Sequence, residues 1–219
     1  MKIIFMGTPQ FAIPSLKAIY ESKHQLLAVV TTPDKERGRG RKITFTAVKQ
    51  FAIDNNISVY QPEKLKGNQE FAEQMKALQP DLFVVVAFRI LPREIFEIPK
   101  FGSFNLHASL LPKYRGAAPI QWALINGETE TGLTTFKLAE KVDTGNIYLK
   151  EKVPIYPVDN FGTLHDRLSE LGADVVLRTI EMIESGVYQL IQQDDSLASP
   201  APKITKEICR IDWNKSAEE

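Results

Sequence analysis

Phe83-Val84-Val85-Val86-Ala87 is apolar without a break, and that run decides the layer architecture. A strand with one wet face alternates apolar and polar residues, whereas a strand apolar throughout is covered on both faces, as in the middle of a parallel sheet. Outward from it, residues 2–6, 26–31, 58–60 and 81–87 read as strands, and residues 12–22, 46–55 and 69–78 carry helical spacing. Strand and helix alternating in this way predict βαβ units and a parallel sheet with helices on both sides.

Beyond that core, residues 133–138 and 146–154 are β-branched or alternating and are expected to pair as antiparallel edge strands. Residues 163–185 form a long amphipathic pattern, with Leu164, Leu168, Leu171, Val175 and Ile183 on its buried side and Gly186 as its stop. The expected class is α/β: a Rossmann-like open, mostly parallel sheet with helices on both faces and antiparallel edge strands. Such sheets bind ligands outside the carboxyl ends of their strands, where strand order reverses.

The chain has 219 residues, 43% hydrophobic and 25% charged, which fits a soluble globular protein with a core able to stand alone. Its 27 basic and 27 acidic residues cancel, so attraction for nucleic acid must be local. One cysteine, Cys209, excludes an intrachain disulfide and fits a reducing compartment. The first apolar run is broken at once by Gly7-Thr8-Pro9, unlike a secretory leader. No run reaches the roughly 18 apolar residues of a membrane span. A cytoplasmic location is expected. Gly7-Thr8-Pro9 also lacks the further glycines of a dinucleotide-binding turn, so no nicotinamide cofactor is expected. No Cys/His cluster suggests a metal.

The chemistry concentrates in Phe104-Asn105-Leu106-His107-Ala108-Ser109-Leu110-Leu111-Pro112-Lys113-Tyr114-Arg115-Gly116. Its first half alternates like a half-buried strand, which puts Asn105 and His107 on one face, roughly 7 Å apart at their Cα atoms. An amide N–H can hold a carbonyl oxygen as it becomes anionic, and an imidazole titrates near neutrality; acyl transfer uses both. The competing reading of Asn-x-His alone is an ordinary strand with a satisfied core histidine. Downstream, Asp143-Thr144-Gly145 supplies an acid in a turn. His24 and His165 read as surface residues, and Glu140 as solvated.

Asn105-x-His107, then Ser109-Leu110-Leu111-Pro112, then Asp143 in a loop ending at Gly145 resembles the folate-dependent formyltransferases. Met6-Gly7-Thr8-Pro9-x-Phe11-Ala12, Pro33-Asp34 followed by Gly38-Arg39-Gly40-Arg41-Lys42, and Arg115-Gly116-Ala117-Ala118-Pro119-Ile120-Gln121 narrow the likeness to the branch acting on methionyl-tRNA. The resemblance covers nearly the whole chain. It implies transfer of a formyl group from 10-formyltetrahydrofolate to the α-amine of methionine on initiator Met-tRNA. Asn105, whose amide donates without needing a charge, reads as the oxyanion donor; His107 reads as a second oxyanion partner if protonated or as a proton carrier if neutral; and the resemblance makes Asp143 the acidic partner of the ring. Folate would lie against Phe88, Arg89, Ile90 and Leu91, against Leu138 and Val142, and against Ser109, Leu110, Leu111 and Pro112. Many bacterial members carry a Tyr-Gly pair where this chain has Phe88-Arg89.

From Lys35 to Lys42 the chain reads Lys-Glu-Arg-Gly-Arg-Gly-Arg-Lys, with five basic residues, one acid and two glycines. A solvated loop is the ordinary explanation of such a run. The resemblance makes it a contact for the tRNA acceptor stem through Arg37, Arg39, Arg41 and Lys42. After residue 196, Ala-Ser-Pro-Ala-Pro reads as a linker. The expected organisation is therefore a catalytic domain over residues 1–195, with 196–219 leading into a smaller tRNA-binding domain that this chain lacks. A monomer is expected. The rival readings are a formyltransferase for an amino sugar nucleotide or glycinamide ribonucleotide, a non-catalytic RNA- or folate-binding module, and a hydrolase releasing formate.

Overall fold

The computed structural model describes residues 1–37, 42–211, 213–214 and 216. In chain order it runs β1 (Lys2–Gly7), α1 (Ile13–Glu21), β2 (Gln25–Val30), β3 (Lys35–Arg37), β4 (Lys42–Thr44), α2 (Ala47–Asp54), β5 (Val59–Tyr60), α3 (Gln69–Ala77) and β6 (Leu82–Val86). It continues with α4 (Arg93–Phe96), β7 (Ser103–His107), β8 (Arg115–Gly116), α5 (Pro119–Ile125), β9 (Glu130–Lys137), β10 (Ile147–Pro154), α6 (Phe161–Ser185) and β11 (Pro200–Ala201).

Seven strands form one sheet in the order β10-β9-β7-β6-β1-β2-β5. From β5 to β7 every pairing is parallel, and β9 and β10 then pair antiparallel at the far edge. The α/β class with antiparallel edge strands is therefore the observed one. β6 is buried along its whole length, as its unbroken apolar run requires. Phe83 and Val85 pack into one core with Phe71 and Met75 of α3; Val84 and Val86 point the other way, into a core shared with Leu16 of α1 and Leu164, Val175 and Ile180 of α6.

α6 begins at Phe161, two residues earlier than the apolar pattern alone indicates. Asn160 caps it by accepting from the Thr163 N–H, and Thr163 reaches back to the Asn160 N–H. It ends where Gly186 turns left-handed at φ 68°. Leu171, expected on the buried side, is exposed, while Val176 and Ile180 are buried. Among the described residues no helix is long and apolar enough to cross a membrane.

Two further expectations change. β7 is not half-buried: β6 and β9 flank it, Phe104 and Leu106 enter the main core, and the opposite face carries Ser103 and His107 with little exposure. It also ends at His107, three residues before the last position of the alternation, Leu110. The segment read as linker from residue 196 is bound to the domain as far as Pro202. β11 pairs in parallel with β8, the Ser199 carbonyl accepts from Arg115 N at 2.8 Å, and the Pro202 carbonyl accepts from the Trp122 indole at 2.7 Å.

Candidate active site

The carboxyl ends of β1, β6 and β7 open into a cavity of about 710 Å³. Pro9 stands beyond β1, Val85 and Ala87 at the end of β6, and Asn105 and His107 on β7. β1 is the strand from which the order departs in both directions, so the cavity lies where an open α/β sheet is expected to take a ligand. Pairing through Val85 and Phe136 fixes the height of Asn105; pairing with Thr134 does so for His107. The parallel ladder leaves both side chains on the cavity face. Asn105 is half-buried, and among the described residues its amide makes no hydrogen bond to protein, which leaves it free for a ligand.

His107 is only 6% exposed. Its Nε2 lies 2.8 Å from the backbone carbonyl of Tyr114. A carbonyl can only accept, so the neutral ring carries its hydrogen on Nε2 and keeps a lone pair on Nδ1. Nδ1 faces the Asp143 carboxylate at 3.9 Å. That carboxylate accepts from the Gly116 N–H at 2.9 Å. The Asp143 backbone is left-handed at φ 55°, and Gly116 itself sits at φ 129° with the Ala201 carbonyl where a Cβ would go. Only glycine fits that approach of β8 to β11. Asn105 and His107, neighbours on β7, and Asp143, from the loop after β9, are thus brought to one cavity wall.

The other walls come from two loops. Phe88, Arg89, Ile90 and Leu91 follow β6, and Leu138 to Asp143 follow β9, with Ile90 and Val142 exposed at the rim. Arg89 folds back to donate to the carbonyls of Pro62 (2.7 Å) and Glu63 (2.8 Å), tying the loop after β5 to the cavity wall. Burial holds its guanidinium below the ordinary arginine pKa. Its Nε is buried without a partner among the described residues. A flat ligand suits these walls, because Val85, Leu91 and Leu138 are aliphatic. Among the described residues no cluster of His, Cys, Asp and Glu could hold a metal ion.

Ser109, Leu110, Leu111 and Pro112, expected to close one side of the site, do not line the cavity. They are consumed in holding their own turn. The Ser109 hydroxyl donates to the Lys113 carbonyl at 2.6 Å, Thr134 donates to the Ser109 carbonyl at 2.6 Å and accepts from Leu111 N at 3.1 Å, and Leu111 is buried against Phe136 and Ile147. Their contribution is indirect: the turn delivers the Tyr114 carbonyl to His107.

His165 corrects a second expectation. It lines the cavity rather than the outer surface, edge-on to Phe11 at 5.2 Å and tilted against Phe161 at 5.3 Å. His24 is likewise not a surface residue; it is 7% exposed, with Nδ1 beside the amino group of Met1. In the basic stretch, Arg37 and Lys42 are register partners across the β3–β4 hairpin. Arg39 and Arg41 lie outside the described residues. Glu140 is exposed as expected, at the cavity edge, and pairs with Arg93 at 3.3 Å.

Residues 1–180 match the family described as Formyl transferase. The chain belongs to the formyl transferase family. Family relatives include a methionyl-tRNA formyltransferase of Caldanaerobacter subterraneus, 50% identical over 99% of this chain and 71% of the relative. Another, of Flavobacterium johnsoniae, is 50% identical over the whole chain and 70% of its own length. Among solved structures, a sugar 3N-formyl transferase crystallised with dTDP and 5-N-formyl-THF superposes with a TM-score of 0.70 at 25% identity, covering 93% of this chain and 70% of that one. Sequence reasoning also passed over Gln193, whose Nε2 donates to the Asp143 carbonyl at 2.9 Å. Gln193 follows α6 in an unremarkable polar run, and nothing local signals that it reaches back to Asp143.

Proposed function

We propose that this chain transfers a formyl group from 10-formyltetrahydrofolate to the α-amine of methionine on initiator Met-tRNA, in the cytoplasm. The observation that carries the reading is the convergence of Asn105, His107 and Asp143 on one wall of a largely apolar cavity. Half of all positions are shared with methionyl-tRNA formyltransferases, against a quarter with the sugar formyl transferase. That difference favours methionyl-tRNA over an amino sugar nucleotide as acceptor.

The chemistry follows from the side chains. The uncommitted Asn105 amide donates to the formyl oxygen and strengthens its hold as that oxygen gains charge, the condition for lowering a barrier rather than merely binding. His107 Nδ1 takes the proton that the attacking amine must lose, and the imidazolium then rests against the Asp143 carboxylate while Tyr114 fixes the ring. The same nitrogen returns the proton to the departing folate amine. Bringing two bound reactants into attack geometry supplies up to roughly 7–11 kcal/mol of the barrier.

The pterin is assigned to the pocket bounded by Phe88, Arg89, Ile90, Leu91, Leu138 and Val142. Arg37, Arg39, Arg41 and Lys42 are assigned to the phosphates and base edges of the acceptor stem. In this reading residues 1–195 carry the chemistry and the segment beyond 196 leads toward further tRNA contacts.

Turnover decides it. Charged initiator tRNA and 10-formyltetrahydrofolate should give formylmethionyl-tRNA, with no formylation of an amino sugar nucleotide and no release of formate when acceptor is withheld. Formate release without acceptor would make the chain a hydrolase instead. Raising salt should weaken tRNA but not folate, and Arg39→Ala should act on tRNA alone. Loss of folate binding in that variant would remove the assignment.

A further inference from the structure

Gln193 lies 50 residues beyond Asp143, and it is only 8% exposed. Its Nε2 donates to the carbonyls of Asp143 at 2.9 Å and Gly145 at 2.8 Å. Its Oε1 accepts from Arg115 Nε at 3.1 Å and Nη2 at 2.7 Å. A primary amide has two N–H groups and one oxygen with two lone pairs, and all are taken. The two ends of the amide therefore grip two different segments, the turn at Asp143 and the strand at Arg115.

Those segments are the ones that hold the reactive pair. Arg115 stands between Tyr114, whose carbonyl fixes His107 Nε2, and Gly116, whose N–H fixes the Asp143 carboxylate. Residues 114–116 thus carry both partners on a single stretch of backbone. Behind that stretch, Ser199 accepts from the N–H groups of Tyr114 and Arg115, and Ala201 accepts from Ala118. Asp195 also reaches Arg115, at 2.7 Å, but from an exposed position where water weakens the pair. Gln193 is the buried connection. The Asp143 backbone is left-handed at φ 55°, a conformation aspartate tolerates better than most residues, and Gln193 holds the carbonyl of that same residue.

We propose that Gln193 is a positioning residue for formyl transfer. It joins the Asp143 turn to Arg115, closes the circuit through Gly116, and so sets the 3.9 Å approach of Asp143 to His107. The claim rests on the function proposed above and deepens it. A residue that only filled space could be replaced by an apolar isostere without touching the chemistry; one that positions a carboxylate could not.

The test is a double-mutant cycle on formyl transfer to Met-tRNA. Gln193→Met keeps the volume and loses all four hydrogen bonds. It should lower kcat about 10- to 100-fold, the scale on which misplaced reacting groups act, with the folate KM within about twofold of wild type. In an Asp143→Asn background the same change should have little further effect, because the partner being positioned is already disabled. Equal losses from Gln193→Met in both backgrounds, or undiminished kcat in the single variant, would overturn the proposal. Gln193→Glu keeps the Arg115 contact and loses the two donors, and it supplies the same reading should Gln193→Met not fold. Absence of transfer by the wild-type protein would instead defeat the proposed function, so the two failures are told apart.

Discussion

His107 Nε2 donates to the carbonyl of Tyr114, seven residues on, across 2.8 Å. That single bond settles which ring nitrogen is free, because the turn between the two residues can offer the imidazole only an acceptor. The free Nδ1 is the one that faces Asp143. His107→Gln keeps a donor toward Tyr114 but has no group that can carry a proton, and general acid–base catalysis contributes about 10²–10⁴ in rate. We expect kcat to fall by that order while folate still binds. Retained turnover in His107→Gln would remove the ring from the reaction.

Among the described residues the Asn105 amide makes no hydrogen bond to protein, which distinguishes a ligand-directed amide from a structural one. Asn105→Ala should cost about 10²–10³ in kcat, the usual loss for one oxyanion donor, with little change in stability because no hydrogen bond among the described residues is broken. Steady-state kinetics beside a melting curve separates the two effects. A lowered melting temperature with near-normal kcat would show a structural amide after all.

The sheet and the shared face of Asn105 and His107 were legible because they depend on short-range pattern; Asp143 was singled out only through the family resemblance. A short, valine-rich apolar run reads as a strand covered on both faces, and Asn105 and His107 share a face through period-2 geometry. What escaped depends on contacts distant in sequence. The turn at Ser109 reads like cavity wall, yet its polar groups are spent on Thr134 and Lys113. His165 falls on the polar side of its helix by periodicity, but the cavity happens to open on that side. No local rule shows that Gln193 will cross to Asp143, or that the proline-rich run after residue 196 will add a strand to Arg115-Gly116.

Arg89 joins the donor side of the cavity to the loop after β5 through the carbonyls of Pro62 and Glu63. Arg89→Met preserves the apolar stem and loses both bonds. The change should raise the folate KM about tenfold while moving kcat much less, because no reacting group is touched. A fall in kcat at constant KM would place Arg89 in the chemistry instead of the binding wall.

Asp159 anchors the start of α6. Its carboxylate accepts from both Nη groups of Arg167, from Thr163 Oγ1 at 3.0 Å and from Tyr156 N at 2.7 Å. These bonds, Arg167 first, hold its pKa far below the ordinary aspartate value. A depressed folded-state pKa gives stability that is complete above the unfolded value near 4 and is lost as pH falls below it. Asp159→Asn should therefore lower Tm at pH 7, and the gap to wild type should narrow as the pH is taken from about 4 to 2.5. A gap that stayed constant over that range would mean that charge plays no part in the anchor.

Thr134 offers the sharpest test of the indirect route to His107. Its hydroxyl is fully buried, donating to the Ser109 carbonyl at 2.6 Å and accepting from Leu111 N at 3.1 Å. Thr134→Val is nearly isosteric, so the core is unchanged, but one carbonyl and one N–H are left buried without partners, a loss of about 1–3 kcal/mol. That much destabilisation is expected from the burial alone. The turn it loosens, however, carries the Tyr114 carbonyl, so kcat should fall along with stability even though Thr134 lies outside the cavity wall. Measured well below the variant's own Tm, a normal kcat would show that the turn holds the fold but not the ring.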